Sequence, residues 1–143
     1  MKKILIFLTL AVIIFVGGTT IDAKTTKKRS KARTSQSSKK KLYKIEGSRI
    51  IPTGHKFVVI DFYTDWCKYC PPYKEVFEKV GRNYSDRAVF IRINAEQHRD
   101  IANYYNVTGY PFTVMLNPFG TVVASFSGLV SEYAFNSFLS TYL

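Results

Sequence analysis

Cys67 and Cys70 are the two cysteines of this 143-residue chain, and they close the run Asp61-Phe62-Tyr63-Thr64-Asp65-Trp66-Cys67-Lys68-Tyr69-Cys70. A C-x-x-C pair where an apolar, strand-like segment gives way to a polar stretch reads as a redox dithiol. Its spacing puts one thiol at the start of a helix and the other one turn later, close enough to close a small disulfide ring. No cysteine is left over for a structural bridge. Disulfide exchange needs a thiolate, and a free cysteine with a pKa of about 8.5 is only slightly ionised at neutral pH. Unpaired amides and the positive dipole end of a helix start would stabilise the anion at Cys67, and the Lys68 ammonium adds favourable charge. Cys70, one turn in, is expected to be more buried and to keep its proton longer. That asymmetry makes Cys67 an exposed attacker of a substrate disulfide and Cys70 the thiol that resolves the mixed disulfide. Two other readings of the pair are a structural disulfide across a turn and half of a zinc site. Zinc needs two further ligands, and His55 and His98 stand at no recognisable spacing for it, so neither a metal nor another cofactor is expected.

Asp61 is the acid that bears on this chemistry. Its strand neighbours are apolar, an unpaired carboxylate among them is costly to ionise, and its pKa should therefore rise toward neutrality. Such a group can accept a proton. The competing reading is a carboxylate at the strand end that reaches solvent or caps the following helix. Asp65 reads as a solvated or capping residue.

The elements that must hold these residues follow from periodicity. Phe57-Val58-Val59-Ile60 is a continuous apolar run of the kind buried on both faces of a parallel sheet. Tyr73, Val76, Phe77, Val80 and Tyr84 recur at helical spacing, with Gly81 as a weak point near the end. Val89 to Ile93 is a second strand, and Ile101, Tyr104 and Tyr105 mark a short helix closed by the turn set Asn106 to Gly109. Phe112 to Leu116 and Thr121 to Phe126 form an antiparallel hairpin around Asn117-Pro118-Phe119-Gly120. Ser131 and Glu132 open a last helix with the apolar face Phe135, Phe138, Leu139 and Tyr142. The order β, α, β, α, β, β, α gives an α/β domain with helices on both faces of one mixed sheet.

Charge divides the chain. Of its 21 lysines and arginines, twelve lie at or before Lys44, while nine bases meet nine acids from Ile45 onward. The formal charge of +11 is thus a property of the N-terminal arm. Lys2 and Lys3, the apolar run Ile4 to Val16 and the small residue of Ile21-Asp22-Ala23 have the layout of a secretory signal, or of an uncleaved N-terminal anchor. The basic cluster beyond that run opposes export, since positive charge tends to stay cytoplasmic. Residues 24–44 form a basic linker with almost no large apolar side chain to bury, so it cannot offset the entropy of ordering. It is read as a solvated tether or as an electrostatic arm for anionic lipid or wall polymer. Nucleic acid is not expected, because residues 24–41 of the arm carry no aromatic residue for base stacking. The organisation is therefore 1–23 signal or anchor, 24–44 linker and 45–143 folded domain, with an exported protein of the periplasm or cell envelope as the expectation.

From about Phe57 to Leu143 the chain resembles thioredoxin-like proteins. The resemblance rests on Asp61, Trp66, Cys67 and Cys70 at their mutual spacing, on Gly109-Tyr110-Pro111 before an apolar strand, and on the element order. It implies a thioredoxin-like fold and a thiol:disulfide oxidoreductase acting on protein substrates, with a redox partner that recycles the dithiol. It also implies a cis bond before Pro111, facing the dithiol, that presents the Tyr110 backbone for strand-like pairing with a substrate polypeptide. An ordinary proline at the start of a strand is the plainer alternative for Pro111. Asp61 takes the place of the family's buried aspartate, which helps deprotonate the resolving thiol, here Cys70, through water. Trp66 would pack beside the dithiol and shield it, and Arg92 falls where many relatives place a lysine near that aspartate. Asp61 and Trp66 match the reductant branch, so reduction is the favoured direction. The alternative is a redox-inactive binding module of the same fold, tethered at the envelope. Two departures stand out. Lys68-Tyr69 between the cysteines is neither the Gly-Pro of cytosolic reductants nor the Pro-His of strong oxidants. Pro71-Pro72 directly after Cys70 should delay the helix to about Pro72 or distort its first turn. The usual leading strand and helix are reduced to a piece around Leu42 to Ile51.

Overall fold

The computed structural model describes residues 41–143. The expected signal or anchor (1–23) and all of the linker before residue 41 lie outside the described residues. In chain order the elements are β1 (Tyr43–Glu46), β2 (Arg49–Pro52), β3 (Phe57–Tyr63), α1 (Cys70–Asn83), β4 (Ala88–Asn94), α2 (Arg99–Tyr104), β5 (Phe112–Leu116), β6 (Val122–Ser127) and α3 (Glu132–Ser140). Among the described residues no helix is long and apolar enough to cross a membrane.

Five consecutive residues of β3, Val58 to Phe62, are buried, which requires pairing on both edges and cover on both faces. The four-stranded sheet has the order β4-β3-β5-β6, with β3 parallel to β4 and the other pairs antiparallel. Alternation then sorts the side chains. Val58, Ile60 and Phe62 pack with Val114, Leu116 and Ile101 of α2 on one face, together with Ile50 of β2. Val59 and Met115 point the other way, against Tyr73, Phe77 and Val80 of α1 and Phe135 and Leu139 of α3. This is the mixed sheet with helices on both faces that the element order implied.

The N-terminal piece is not a leading strand and helix but a separate antiparallel hairpin, β1 with β2. Its strand begins at Tyr43, so the last two residues of the expected linker belong to folded structure. The hairpin is pinned by Ile50, which is fully buried and whose amide donates to the Tyr105 hydroxyl at 3.0 Å. Because the hairpin forms its own sheet, β4 has a strand on one side alone among the described residues.

Helix α1 corrects the expectation for Pro71-Pro72. It starts at Cys70, with Tyr69 at the N-cap, and both prolines sit in its first turn. Amides there have no partner within the helix, so losing two of them costs little, and the fixed proline φ already suits a helix. At the far end Ser131 caps α3 by accepting the Ala134 amide at 3.2 Å.

Gly81 is a contact residue and not a weak point. A Cβ placed there would lie 2.9 Å from Cγ of Phe90, at the base of a ring that also meets Phe77 edge-on at a centroid distance of 5.4 Å. Helix propensity alone favours Gly81→Ala by about 1 kcal/mol, whereas forcing a methyl into a packed contact costs about 1–3 kcal/mol. We expect Gly81→Ala to lower stability in urea denaturation, and a gain in stability would show that α1 and β4 can separate freely.

Candidate active site

The two cysteines form a disulfide, with Cα atoms 5.4 Å apart. They do not both sit in the helix as expected: Cys70 is its first residue and Cys67 lies in the turn before it. That turn is held by the Cys67 amide on the Thr64 carbonyl at 3.3 Å and the Cys70 amide on the Cys67 carbonyl at 3.2 Å. Since Pro71 and Pro72 have no amide hydrogen and the Tyr73 amide bonds Tyr69, no free amide remains in the first turn from Cys70 to Tyr73. The helix dipole persists, but direct donation to the Cys67 sulfur from that turn does not. Cys67 is also less exposed than expected, at 6% against 2% for Cys70. The order of burial is the anticipated one and the difference is small, because each sulfur of the closed disulfide covers the other. Lys68 lies with Nζ 4.8 Å from the centroid of the Tyr69 ring.

Asp61 is fully buried on the α1 side of β3, the face also occupied by Val59. The strand register sets it opposite Arg92 of β4 and Thr113 of β5. Arg92 Nε donates to Asp61 Oδ2 at 2.7 Å, and the guanidinium carbon stands 4.3 Å from the centroid of the Tyr63 ring. Thr113 Oγ1 is 2.6 Å from the Tyr73 hydroxyl, which comes from the first turn of α1. Asp61 Oδ1 makes no hydrogen bond among the described residues. Burial pushes the Asp61 carboxyl above the usual carboxylate range, and the Arg92 hydrogen bond and charge pull it only part of the way back. Burial likewise pushes the Tyr73 phenol up, so it stays neutral. The reading of Asp61 as a solvent-reaching or capping carboxylate is thereby corrected: no edge of β3 at this position meets water. Asp65 is exposed and accepts from Asn94 Nδ2 at 3.3 Å.

On the outer side Trp66 is 69% exposed, so it stands out from the dithiol turn and does not shield it as expected. Its indole nitrogen donates to Glu96 Oε1 at 3.1 Å, and its ring meets Tyr110 edge-on with centroids 5.7 Å apart. The Tyr110–Pro111 peptide is cis. Trp66, Tyr110, Glu96, Arg99 and Val107 line a surface pocket of about 300 Å³ beside the dithiol turn. A larger cavity of about 450 Å³ lies away from the cysteines, between α1 and β4.

Comparison with known proteins agrees with this geometry. The family profile described as Thioredoxin matches residues 38–141. The chain belongs to the thioredoxin family. It is 36% identical to Thioredoxin-T of Drosophila melanogaster over 84 residues, which is 59% of this chain and 53% of that protein. It thus spans about half the length of that curated relative. A protein disulfide-isomerase of Schizosaccharomyces pombe is 28% identical over 92 residues, 63% of this chain and 26% of the relative. Among solved structures, the Deadhead thioredoxin of Drosophila melanogaster superposes with a TM-score of 0.58 at 27% identity, covering 62% of this chain and 83% of that one. The thioredoxin of Fasciola hepatica, at 24% identity and a TM-score of 0.57, shares the fold.

In this thioredoxin-family domain the sequence-derived residues converge: Cys67 and Cys70 in the turn and first position of α1, Asp61 beneath that end of the helix, Trp66 and Tyr110 in contact outside. Three participants were not foreseen. Tyr73 has the spacing of an apolar helix face, yet its hydroxyl joins the polar row through Thr113. Glu96, 30 residues from Trp66, carried no signal of its own. Thr64 is buried, and its hydroxyl lacks a partner among the described residues.

The folded Asp61 holds its proton to higher pH than an unfolded aspartate, whose value lies near 3.8. The stability linked to that proton is fully present below 3.8 and is lost as pH rises through the folded value. Asparagine has no such titration. We therefore expect the stability of oxidised Asp61→Asn relative to the native chain to increase between pH 4 and pH 8 in urea melts. A difference that is flat or falls with pH would contradict the burial of an ionisable acid at this position.

Proposed function

We propose that this protein is an exported thiol:disulfide oxidoreductase that reduces disulfides in polypeptide substrates. The observation that carries the reading is the Cys67–Cys70 disulfide at the junction of β3 and α1, above a buried carboxyl. In the working cycle the Cys67 thiolate attacks one sulfur of a substrate disulfide. A Cys67-to-substrate disulfide forms and the other substrate sulfur leaves as a thiolate that takes a proton. Cys70 then gives its proton to Asp61, attacks the Cys67 sulfur and expels the second substrate sulfur as a thiolate, which takes a proton as Asp61 releases its own. Two electrons and two protons pass to the substrate, and the chain is left as the disulfide. A dithiol donor of the redox-partner class must reduce it for the next turn.

Asp61 suits the base role because burial raises its affinity for a proton while the Arg92 bond keeps the carboxylate accessible as a state. Trp66 and Tyr110 border a pocket of a size to take a side chain of a bound polypeptide, and Pro111, without an amide hydrogen, leaves a neighbouring sulfur undisturbed. Export rests on Lys2 and Lys3 followed by the apolar run Ile4 to Val16. The basic segment after it, rich in lysine from Lys24 to Lys41, is suited to an anionic membrane surface.

Trapping tests the cycle. A Cys70→Ala variant expressed with its own N-terminus should accumulate mixed disulfides with client proteins that dithiothreitol releases, and adding Cys67→Ser should abolish them. No captured partner, with the Cys67 thiol open to an alkylating reagent, would leave a binding module in place of an enzyme. Asp61→Asn should slow reduction of a protein disulfide at pH 7 by about a hundredfold. An unchanged rate would remove Asp61 from the mechanism.

A further inference from the structure

Arg92 uses one of its three guanidinium nitrogens on Asp61, and its two η-nitrogens make no hydrogen bond among the described residues. It lies on β4, which has no strand on its outer side among the described residues, so the guanidinium is approached from the edge of the sheet and is 20% exposed. There it lines a cleft of about 190 Å³ together with Lys74, Thr64, Cys70 and Asp65. Lys74 is half-exposed, and its ion pair with Glu78 is long at 3.8 Å. Thr64 is 2% exposed, and its hydroxyl is without a partner among the described residues. The one acid in the cleft, Asp65, is engaged by Asn94 at 3.3 Å. Two cations and a hydroxyl with unspent hydrogen-bonding capacity thus share a hollow large enough for several waters, at about 30 Å³ each.

We propose that the cleft between Lys74 and Arg92 is a binding site for a single oxyanion, a carboxylate or a phosphate group. A guanidinium edge offers the paired donors such a group takes, and an ammonium opposite adds a mobile third. The cleft meets the pocket beside Trp66 at Thr64, which borders both, and its occupant lies against Cys70, so binding is felt at the dithiol. Two sources share this chemistry: free phosphate, and an acidic side chain of a bound polypeptide.

Amide NMR of the oxidised protein tests the site without any need for turnover, and therefore independently of the redox reading. Phosphate and a short unstructured peptide carrying one aspartate are titrated separately, against chloride and the matching asparagine peptide at equal ionic strength. The expected result is saturating shifts at the Thr64, Cys70 and Lys74 amides with at least one of the two ligands, weakened at least fivefold in Lys74→Gln. Saturation by phosphate alone assigns a free oxyanion, and saturation by the aspartate peptide assigns a client side chain. Shifts that match the chloride or asparagine controls, or that are the same in Lys74→Gln, overturn the proposal.

Discussion

Asp61 is held inside the protein by strand register. β3 is paired on both edges, and the apolar residues on either side of Asp61 belong to a face of their own, so a slip of one residue would turn Ile60 and Phe62 out of their core. Asp61 therefore remains on the side under α1, between Arg92 and Thr113. The one hydrogen-bond donor to its carboxyl among the described residues is Arg92, itself 20% exposed. Burial still outweighs that arginine, and the outcome is an acid that holds its proton more tightly than an exposed one. The remainder of the site is arranged around this group: α1 lies above it, Tyr73 reaches down to Thr113, and Cys70 opens the helix.

The first turn of α1 resolves a conflict between local and functional preferences. Prolines at its second and third positions are tolerated because amides there go unpaired in any helix. Those same amides are the donors that would otherwise serve a sulfur anion. With those donors absent from the first turn, the helix dipole is what the fold retains beside Cys67, and the neighbouring Lys68 side chain rests on the Tyr69 ring. The helix accommodates Pro71-Pro72 in its first turn, and what the two prolines remove is a pair of amide donors next to the disulfide.

Among the described residues the segment before β3 pairs with itself as a hairpin, and no strand lies beyond β4. At that edge Arg92 joins the buried carboxyl on one side to open clefts on the other. A single side chain thereby connects the interior acid with the surface. Outside, Trp66 is directed by Glu96 and Tyr110, both distant in sequence, and this contact brings the Pro111 loop to the dithiol turn.

Much of this was legible in the chain. Apolar runs and helical spacing marked all the elements from β3 to α3, since periods of two and of 3.6 are local properties of a strand and a helix. Cys67, Cys70 and Asp61 stood out by residue type and short spacing, whereas Trp66 and Pro111 stood out only through the resemblance to thioredoxin-like proteins. The start of α1 was misjudged: the preference of a residue before proline is statistical, while the cost of proline depends on where the helix begins. Gly81 was misread because its purpose is Phe90, nine residues away on another element. The Tyr73–Thr113 bond, the Glu96 partner of Trp66 and the exposure of Trp66 itself had no local signature. From β3 to α3 the sequence by itself determined which elements form, and it marked the residues whose types suit disulfide exchange. Tertiary structure alone decided their partners and their exposure, because strand register and helix docking bring together atoms that no short window of the chain contains.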